Sequence, residues 1–383
     1  MKKRKILYIT GTRADYGLMR SVLFEIQNSE SLDLEIIVTG MHLMEEFGMT
    51  VDEIVKDGFC YHALNAIFKE DDKYSMAKFI GKTICLLTDM IKDIKPDLIL
   101  LLGDRGEMLA GAIVGAYLNI PTAHLHGGEI TSTVDEYARH AITKLVNIHF
   151  PATKKSAERI RAMGEDPENI YMVGAPGLDS ILKDELYDEN EICSKYNLDP
   201  KKPVILMIQH PVTLEVDDAS AQILETLKAI KKLEYQTLII YPNADAGGRK
   251  MIKKIKEYDK LPFIQSFKNI PRKDFISLLR VVSLIIGNSS SGIIEAPSFK
   301  LPVVNIGSRQ KNRECAQNVL NINYDTEEIK KAIEKALYDE EFLENVENCQ
   351  NPYGEGNTAT AIVKILKDIN LDDNILNKAL NYD

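Results

Sequence analysis

Short β-branched apolar runs recur along this chain, and each breaks at once into a turn of glycine and polar residues. Lys5–Thr10 (KILYIT), Leu34–Thr39 (LEIIVT) and Asp97–Leu102 (DLILLL) lack polar alternation, so they read as strands buried on both faces. Tyr16–Ile26 and Ser75–Ile94, between them, have helical apolar spacing. Pro121–His124 and Ile148–Pro151 extend the strand set, and Ile170–Gly174 follows another helical stretch. Strands separated by helices predict a parallel sheet with crossovers on both faces.

The pattern then pauses. Ser180–Lys202 is rich in Asp, Glu, Lys and Asn and has no strong apolar stripe. Beyond it the alternation restarts, with strands expected at Val204–Gln209, Thr237–Tyr241, Phe263–Ser266, Leu284–Gly287 and Val303–Ile306. Their helical partners are Ala219–Lys232, Arg249–Lys256 and Thr326–Leu337. With 383 residues, two domains are the natural expectation. The fold class is therefore α/β, two Rossmann-like domains facing a cleft. The first domain covers residues 1–178, an interdomain crossing 179–202 and the second domain 203–357. Helices in 358–383 are expected to pack back on the first domain.

Composition narrows the function classes. A net charge of −10 argues against a general nucleic-acid binder. No apolar run approaches the ~20 residues that span a bilayer. The five cysteines lie far apart with no C-x-x-C pair, which predicts reduced thiols in a cytoplasmic protein. MKKRKILYIT breaks into GTRADYG without a cleavage pattern, so it reads as a first strand and not as a signal peptide.

In open parallel sheets ligands gather beyond the carboxyl ends of the strands, and the unusual residues fall there. Gly11-Thr12-Arg13-Ala14-Asp15-Tyr16-Gly17 is not a dinucleotide fingerprint. Its glycine and helix start suit an anion, with Arg13 as a phosphate contact; equally, Asp15 serves as an ordinary helix cap. Gly103-Asp104-Arg105 offers a carboxylate beside a guanidinium, which is also the composition of a plain ion pair. The densest stretch is His124-Leu125-His126-Gly127-Gly128-Glu129, followed by Asp135-Glu136 and Arg139-His140. Strand alternation would aim the two imidazoles alike, and Gly-Gly would bring backbone close to a ligand. Metal-ligand spacing is missing, so acid/base work is favoured over a metal site. In the second half, Gln209-His210-Pro211-Val212-Thr213 and Tyr241-Pro242-Asn243-Ala244-Asp245-Ala246-Gly247 end strands. Gly287-Asn288-Ser289-Ser290-Ser291-Gly292, with Glu295 a turn later, reads as a diphosphate loop rather than a serine-rich cap.

Together these motifs resemble the hydrolysing branch of the UDP-N-acetylglucosamine 2-epimerases. The match runs through TRADYGLM at Thr12–Met19, GDR at Gly103–Arg105, HLHGGE at His124–Glu129 and RHAITK at Arg139–Lys144. It continues in QHPVT at Gln209–Thr213, PNADAG at Pro242–Gly247, GNSSSGIIE at Gly287–Glu295 and GSRQ at Gly307–Gln310. The resemblance implies a glycosyltransferase-B-like fold, a nucleotide-sugar substrate, no cofactor, no metal, and a homodimer or homotetramer. Arg13 and Gly17 are implied near the nucleotide-sugar, His210 and Asn243 at the diphosphate-sugar, Ser289, Ser290 and Arg309 at the phosphates, and Glu295 at the ribose. Asp104, His126 and Asp135 match catalytic carboxylate positions, His126 standing where a glutamate is common. The base thus stays open among Asp104, His126, Glu129 and Asp135.

The implied reaction couples removal of the C2 proton to loss of the C1-bound nucleoside diphosphate. Arginines such as Arg105, together with His210, would stabilise the leaving charge. Water then adds to a 2-acetamidoglucal-type intermediate with C2 inverted. UDP-N-acetylglucosamine is the expected substrate and N-acetylmannosamine, a sialic acid precursor, the product. Alternatives are UDP- or GDP-N,N'-diacetylbacillosamine for legionaminic acid synthesis, a non-hydrolysing epimerase, a nucleotide-sugar binding protein and a glycosyltransferase.

Overall fold

The computed structural model describes residues 3–45, 48–67, 73–130, 135–183, 186–212, 215–242 and 247–381. The chain forms two compact units. The first comprises Met1–Glu129, Asp135–Ser180 and Tyr353–Asp383; the second comprises Ile130–Val134 and Ile181–Pro352.

The first unit is built on six strands: β1 (Arg4–Thr10), β2 (Leu32–Val38), β3 (His62–Ala63), β4 (Leu98–Leu102), β5 (Thr122–Leu125) and β6 (Ile148–Phe150). They lie in the order β3-β2-β1-β4-β5-β6, every pair parallel. Alternation sorts the central strands between two cores. Ile6, Tyr8, Leu98 and Leu100 pack with Met19, Val22, Ile362 and Leu366 on one face. Leu7, Ile9, Ile99 and Leu101 pack with Leu87, Met108, Ala112 and Ile142 on the other. Both faces are therefore dry, which is why the strands read as unbroken apolar runs.

Three differences from the expected elements have plain causes. Residues 170–174 form no strand. Tyr171 and Val173 donate to the carbonyls of His149 and Pro151 at 2.9 and 3.2 Å, but Pro151 has no N–H to return the next bond. The pairing stops at a single bridge between His149 and Ile170. Helix Gly106–Tyr117 has no polar stripe in its sequence, GEMLAGAIVGAY, because it is buried on most sides. The last helix, expected over residues 373–380, covers only Asp373–Leu376.

Buried polar groups tie the C-terminal residues into this unit. The Asp179 carboxylate accepts from the N–H groups of Thr358 (3.0 Å) and Ala359 (2.7 Å), capping helix Thr358–Asp368. Further on, Lys378 donates to Glu165 and to the Thr143 and Val146 carbonyls. Glu165 also accepts from Lys144 at 2.6 Å and from His149 at 3.0 Å. Burial alone would raise the Glu165 carboxyl, but the bonds from His149, Lys144 and Lys378 outweigh it and hold it at about 2.

The second unit repeats the architecture with β7 (Val204–Ile208), β8 (Gln236–Ile240), β9 (Ile264–Phe267), β10 (Leu284–Gly287), β11 (Val303–Ile306) and β12 (Val319–Ile322). Their order is β12-β11-β10-β7-β8-β9, again all parallel. In each unit the fourth strand sits beside the first, the Rossmann order, which puts a topological switch point between them. The edge strand β12 is partly exposed, and its weak apolar signal gave no expectation of a strand. No helix among the described residues is long and apolar enough to cross a membrane.

Candidate functional site

In the first unit the turns after β4 and β5 meet through one buried arginine. Arg139, in helix Asp135–Leu145 and 4% exposed, forms an ion pair with Asp104 through Nη2. Its Nη1 donates to the Glu129 carbonyl at 3.0 Å. Asp104 is thus bonded to Arg139 and not simply to its neighbour Arg105, whose Nη2 lies 3.3 Å from Glu107.

His126 and Glu129 form a dyad. His126 Nδ1 and Glu129 Oε1 are 2.5 Å apart, with both side chains largely buried. The carboxylate fixes Nδ1 as the protonated nitrogen and leaves the Nε2 lone pair free to accept. Nε2 is buried and has no hydrogen-bond partner among the described residues. The alternation expected to aim His124 and His126 alike ends at Leu125, because His126 has φ 61°. His124 instead donates Nε2–H to the Gly103 carbonyl at 2.6 Å. Burial pushes its imidazole down to about 3, so it is neutral and anchors the Asp104 turn.

The Gly-Gly step serves packing inside the protein. Gly128 has φ 72°, and a Cβ there would lie 2.3 Å from the Ser156 carbonyl oxygen. Arg159 reinforces that contact by donating to the Gly128 carbonyl at 2.9 Å. The close neighbour of this turn is helix Lys154–Ala162, not a ligand.

The turn after β1 is likewise filled from within. Thr12 and Asp15 form a reciprocal capping box at the start of helix Arg13–Gln27. Asp15 Oδ2 accepts from the N–H groups of Gly11 and Thr12, each at 3.1 Å. The capping reading of Asp15 therefore holds. Burial raises the Asp15 carboxyl to about 6, against the bonds from Thr10 and Gly11 and the field of Arg105. Arg13 pairs with Glu53 at 2.7 Å, both side chains well exposed. Gly17 faces open space: a Cβ there would meet nothing within 4 Å. Asp135 begins its helix, and its side chain lies outside the described residues.

In the second unit the loop after β10 is clasped to the end of β7. Asn288 accepts from the His210 N–H at 2.7 Å and donates to the His210 carbonyl at 2.9 Å. Gly287, with φ 120°, is required there, since a Cβ would lie 2.2 Å from the Ile208 carbonyl oxygen. The Asn288 carbonyl accepts from Arg309 Nη1 (3.1 Å) and Gln310 Nε2 (2.9 Å), which brings the turn after β11 alongside. The Ser291 hydroxyl donates to Ser289 Oγ at 2.9 Å, and Ser290 precedes the single helical turn Ser291–Ile294. Glu295 is 6% exposed and pairs with Arg272 at 2.6 Å. Asn243 lies outside the described residues.

The first unit thus joins Asp104, His126 and Glu129, and the second joins His210, Ser289, Ser290 and Arg309. The pairing of Arg139 with Asp104 and of Arg272 with Glu295 was not readable beforehand, because the partners lie 35 and 23 residues apart along the chain.

Comparison with known proteins adds an independent finding. The family described as UDP-N-acetylglucosamine 2-epimerase matches residues 24–367. A UDP-N,N'-diacetylbacillosamine 2-epimerase (hydrolyzing) of Legionella pneumophila is 44% identical over 380 residues, covering 99% of this chain and 100% of that protein. A UDP-N-acetylglucosamine 2-epimerase of Neisseria meningitidis serogroup B is 34% identical, covering 96% of this chain and 95% of that protein. Among solved structures, UDP-GlcNAc 2-epimerase from Neisseria meningitidis bound to UDP-GlcNAc superposes with a TM-score of 0.82 at 20% identity. That likeness covers 94% of this chain and 99% of the other, and it shows a shared fold.

Proposed function

The chain belongs to the hydrolysing branch of the UDP-N-acetylglucosamine 2-epimerase family, and from that premise we propose that it converts UDP-N,N'-diacetylbacillosamine and water to UDP and the C2-inverted free sugar. The choice of sugar rests on the Legionella relative, whose 44% identity exceeds the 34% of the N-acetylglucosamine enzyme. UDP-N-acetylglucosamine, the substrate expected from the motifs, is the second reading, and the Neisseria relative favours it.

The observation that carries the chemistry is the His126–Glu129 dyad. An imidazole whose Nδ1–H is held by a carboxylate presents the Nε2 lone pair as the proton acceptor. In this reading Nε2 takes the C2 proton. The C2–H electron pair becomes the C1–C2 double bond, the C1–O bond breaks, and the diphosphate leaves with its electrons. Asp104 is a poor candidate for the base, because its carboxylate is already engaged by the Arg139 guanidinium. It is assigned to accept from sugar hydroxyl or amide groups. Water then adds at C1, and a proton returns to the opposite face of C2. Asp135 is assigned that delivery on the family pattern.

The second unit would carry the leaving group. The Ser289 and Ser290 backbone N–H groups and hydroxyls, with Arg309 and His210, suit the growing negative charge. Glu295, oriented by Arg272, keeps lone pairs for ribose hydroxyls. Arg13, Arg105, Gly17 and Asn243 complete the proposed contacts to the nucleotide-sugar. Incubation with each UDP-sugar, followed by separation of free and nucleotide-linked sugars, tests the reading. Free C2-inverted diacetamido sugar with equimolar UDP is expected. Turnover of UDP-N-acetylglucosamine alone would shift the assignment to the second reading, and an epimer still attached to UDP would overturn hydrolysis.

A further inference from the structure

We infer that Glu107 is the positioning residue for Arg105, and that Gly11 is a glycine because the Glu107 carboxylate fills the space a side chain there would need. The proposal deepens the reading above, in which Arg105 contacts the nucleotide-sugar.

Glu107 sits in the first turn of helix Gly106–Tyr117 and is fully buried. Its Oε1 lies 3.3 Å from Arg105 Nη2, while Oε2 is buried with no hydrogen-bond partner among the described residues. A Cβ on Gly11 would lie 2.4 Å from Glu107 Oε1, 2.7 Å from its Cδ and 3.0 Å from its Cγ. All three of the nearest atoms belong to this side chain. A Cβ on Gly40 would lie 2.9 Å from the same Oε1. Turns after β1, β2 and β4 thus close around one carboxyl group.

A buried carboxylate is tolerated only near compensating charge. Arg105 supplies it from a side chain that is 36% exposed. A flexible arginine costs rotamer entropy when it binds an anion, and an anchored one has already lost most of that freedom. The anchoring explains why an acid is kept at a dry strand end whose neighbouring turn already carries Asp15. It also reassigns Gly11: the close approach it permits is that of Glu107, from inside the unit.

Two double-substitution cycles test the proposal. In thermal unfolding without substrate, Gly11→Ala should lower the Tm of the wild type but cost little in a Glu107→Ala background, where the obstructing atoms are gone. Equal costs in both backgrounds would overturn the notch. In steady-state kinetics, Glu107→Ala should raise KM for the nucleotide-sugar about 10-fold or more with a smaller change in kcat. Adding Arg105→Ala should then raise KM little further. A Glu107→Ala protein with lowered Tm and unchanged KM would show a purely structural acid and overturn the positioning role. If Glu107→Ala does not fold, Glu107→Gln is read instead: its amide fills the notch but removes the negative charge that holds Arg105, so a folded protein with raised KM supports the proposal and unchanged KM overturns it. If neither UDP-sugar turns over, the proposed function fails alone, because the Tm cycle and calorimetric UDP binding by the same variants still decide the Glu107 proposal.

Discussion

Replacing Glu165 with glutamine should destabilise the first unit strongly at neutral pH and much less in acid. The carboxyl is held at about 2 against a free value of 4.5, because the bonds from His149, Lys144 and Lys378 outweigh its burial. A group whose folded pKa is depressed contributes stability that is present above its unfolded pKa and lost as pH falls toward the folded one. The shift corresponds to roughly 3 kcal/mol at pH 7. Two effects reduce it. Burial lowers the Lys378 ammonium despite its pairing with Glu165, and solvent screens Lys144, 37% exposed. A net cost of about 2 kcal/mol at pH 7 is expected, falling by more than half by pH 3. Urea unfolding of wild type and Glu165→Gln, followed through amide exchange of β6 so that one unit is read, measures the difference at each pH. A penalty that stays the same from pH 7 to pH 3 would refute the electrostatic account and leave shape alone as the cause.

Removing the proposed base with His126→Asn should cut kcat by about 10²–10⁴-fold while leaving UDP affinity within 2-fold of wild type, as read by calorimetry. Arg139→Met should leave Asp104 without its buried partner, costing about 3 kcal/mol or more and lowering kcat further than KM rises; an unchanged kcat in the folded variant would sever Asp104 from catalysis. Asp15 has the opposite pH signature to Glu165. Its burial-raised carboxyl, at about 6 against 3.8 when free, favours folding below 3.8 and loses that contribution as pH rises through 6. Asp15→Asn should therefore match wild type near pH 4 and exceed its stability by about 1–3 kcal/mol at pH 8, measured by denaturant midpoints.

How much of this was legible in the sequence depends on the range of the interaction. The strands were legible because burial on both faces leaves unbroken β-branched runs such as Ile6–Thr10 and Leu98–Leu102. Helix Gly106–Tyr117 escaped notice because near-complete burial erases the polar stripe that marks a helix. At the turns of the candidate site, partners were not readable. Asp104 and Arg105 are adjacent, yet their ion pairs run to Arg139 and Glu107. Glycines misled for a related reason. Gly11 and Gly128 mark close approaches, but what approaches is Glu107 in one case and the Ser156 carbonyl in the other. A sequence shows that space is needed and not what fills it.

The proposed function stands on removal of the C2 proton together with expulsion of the nucleoside diphosphate. Turnover of UDP-N,N'-diacetylbacillosamine in deuterated water, followed by NMR, reads both events at once. UDP is expected together with free C2-inverted sugar carrying deuterium at C2, and both products should be lost in His126→Asn. Release of UDP with a free sugar that keeps protium and its original configuration at C2 would contradict the proposed function.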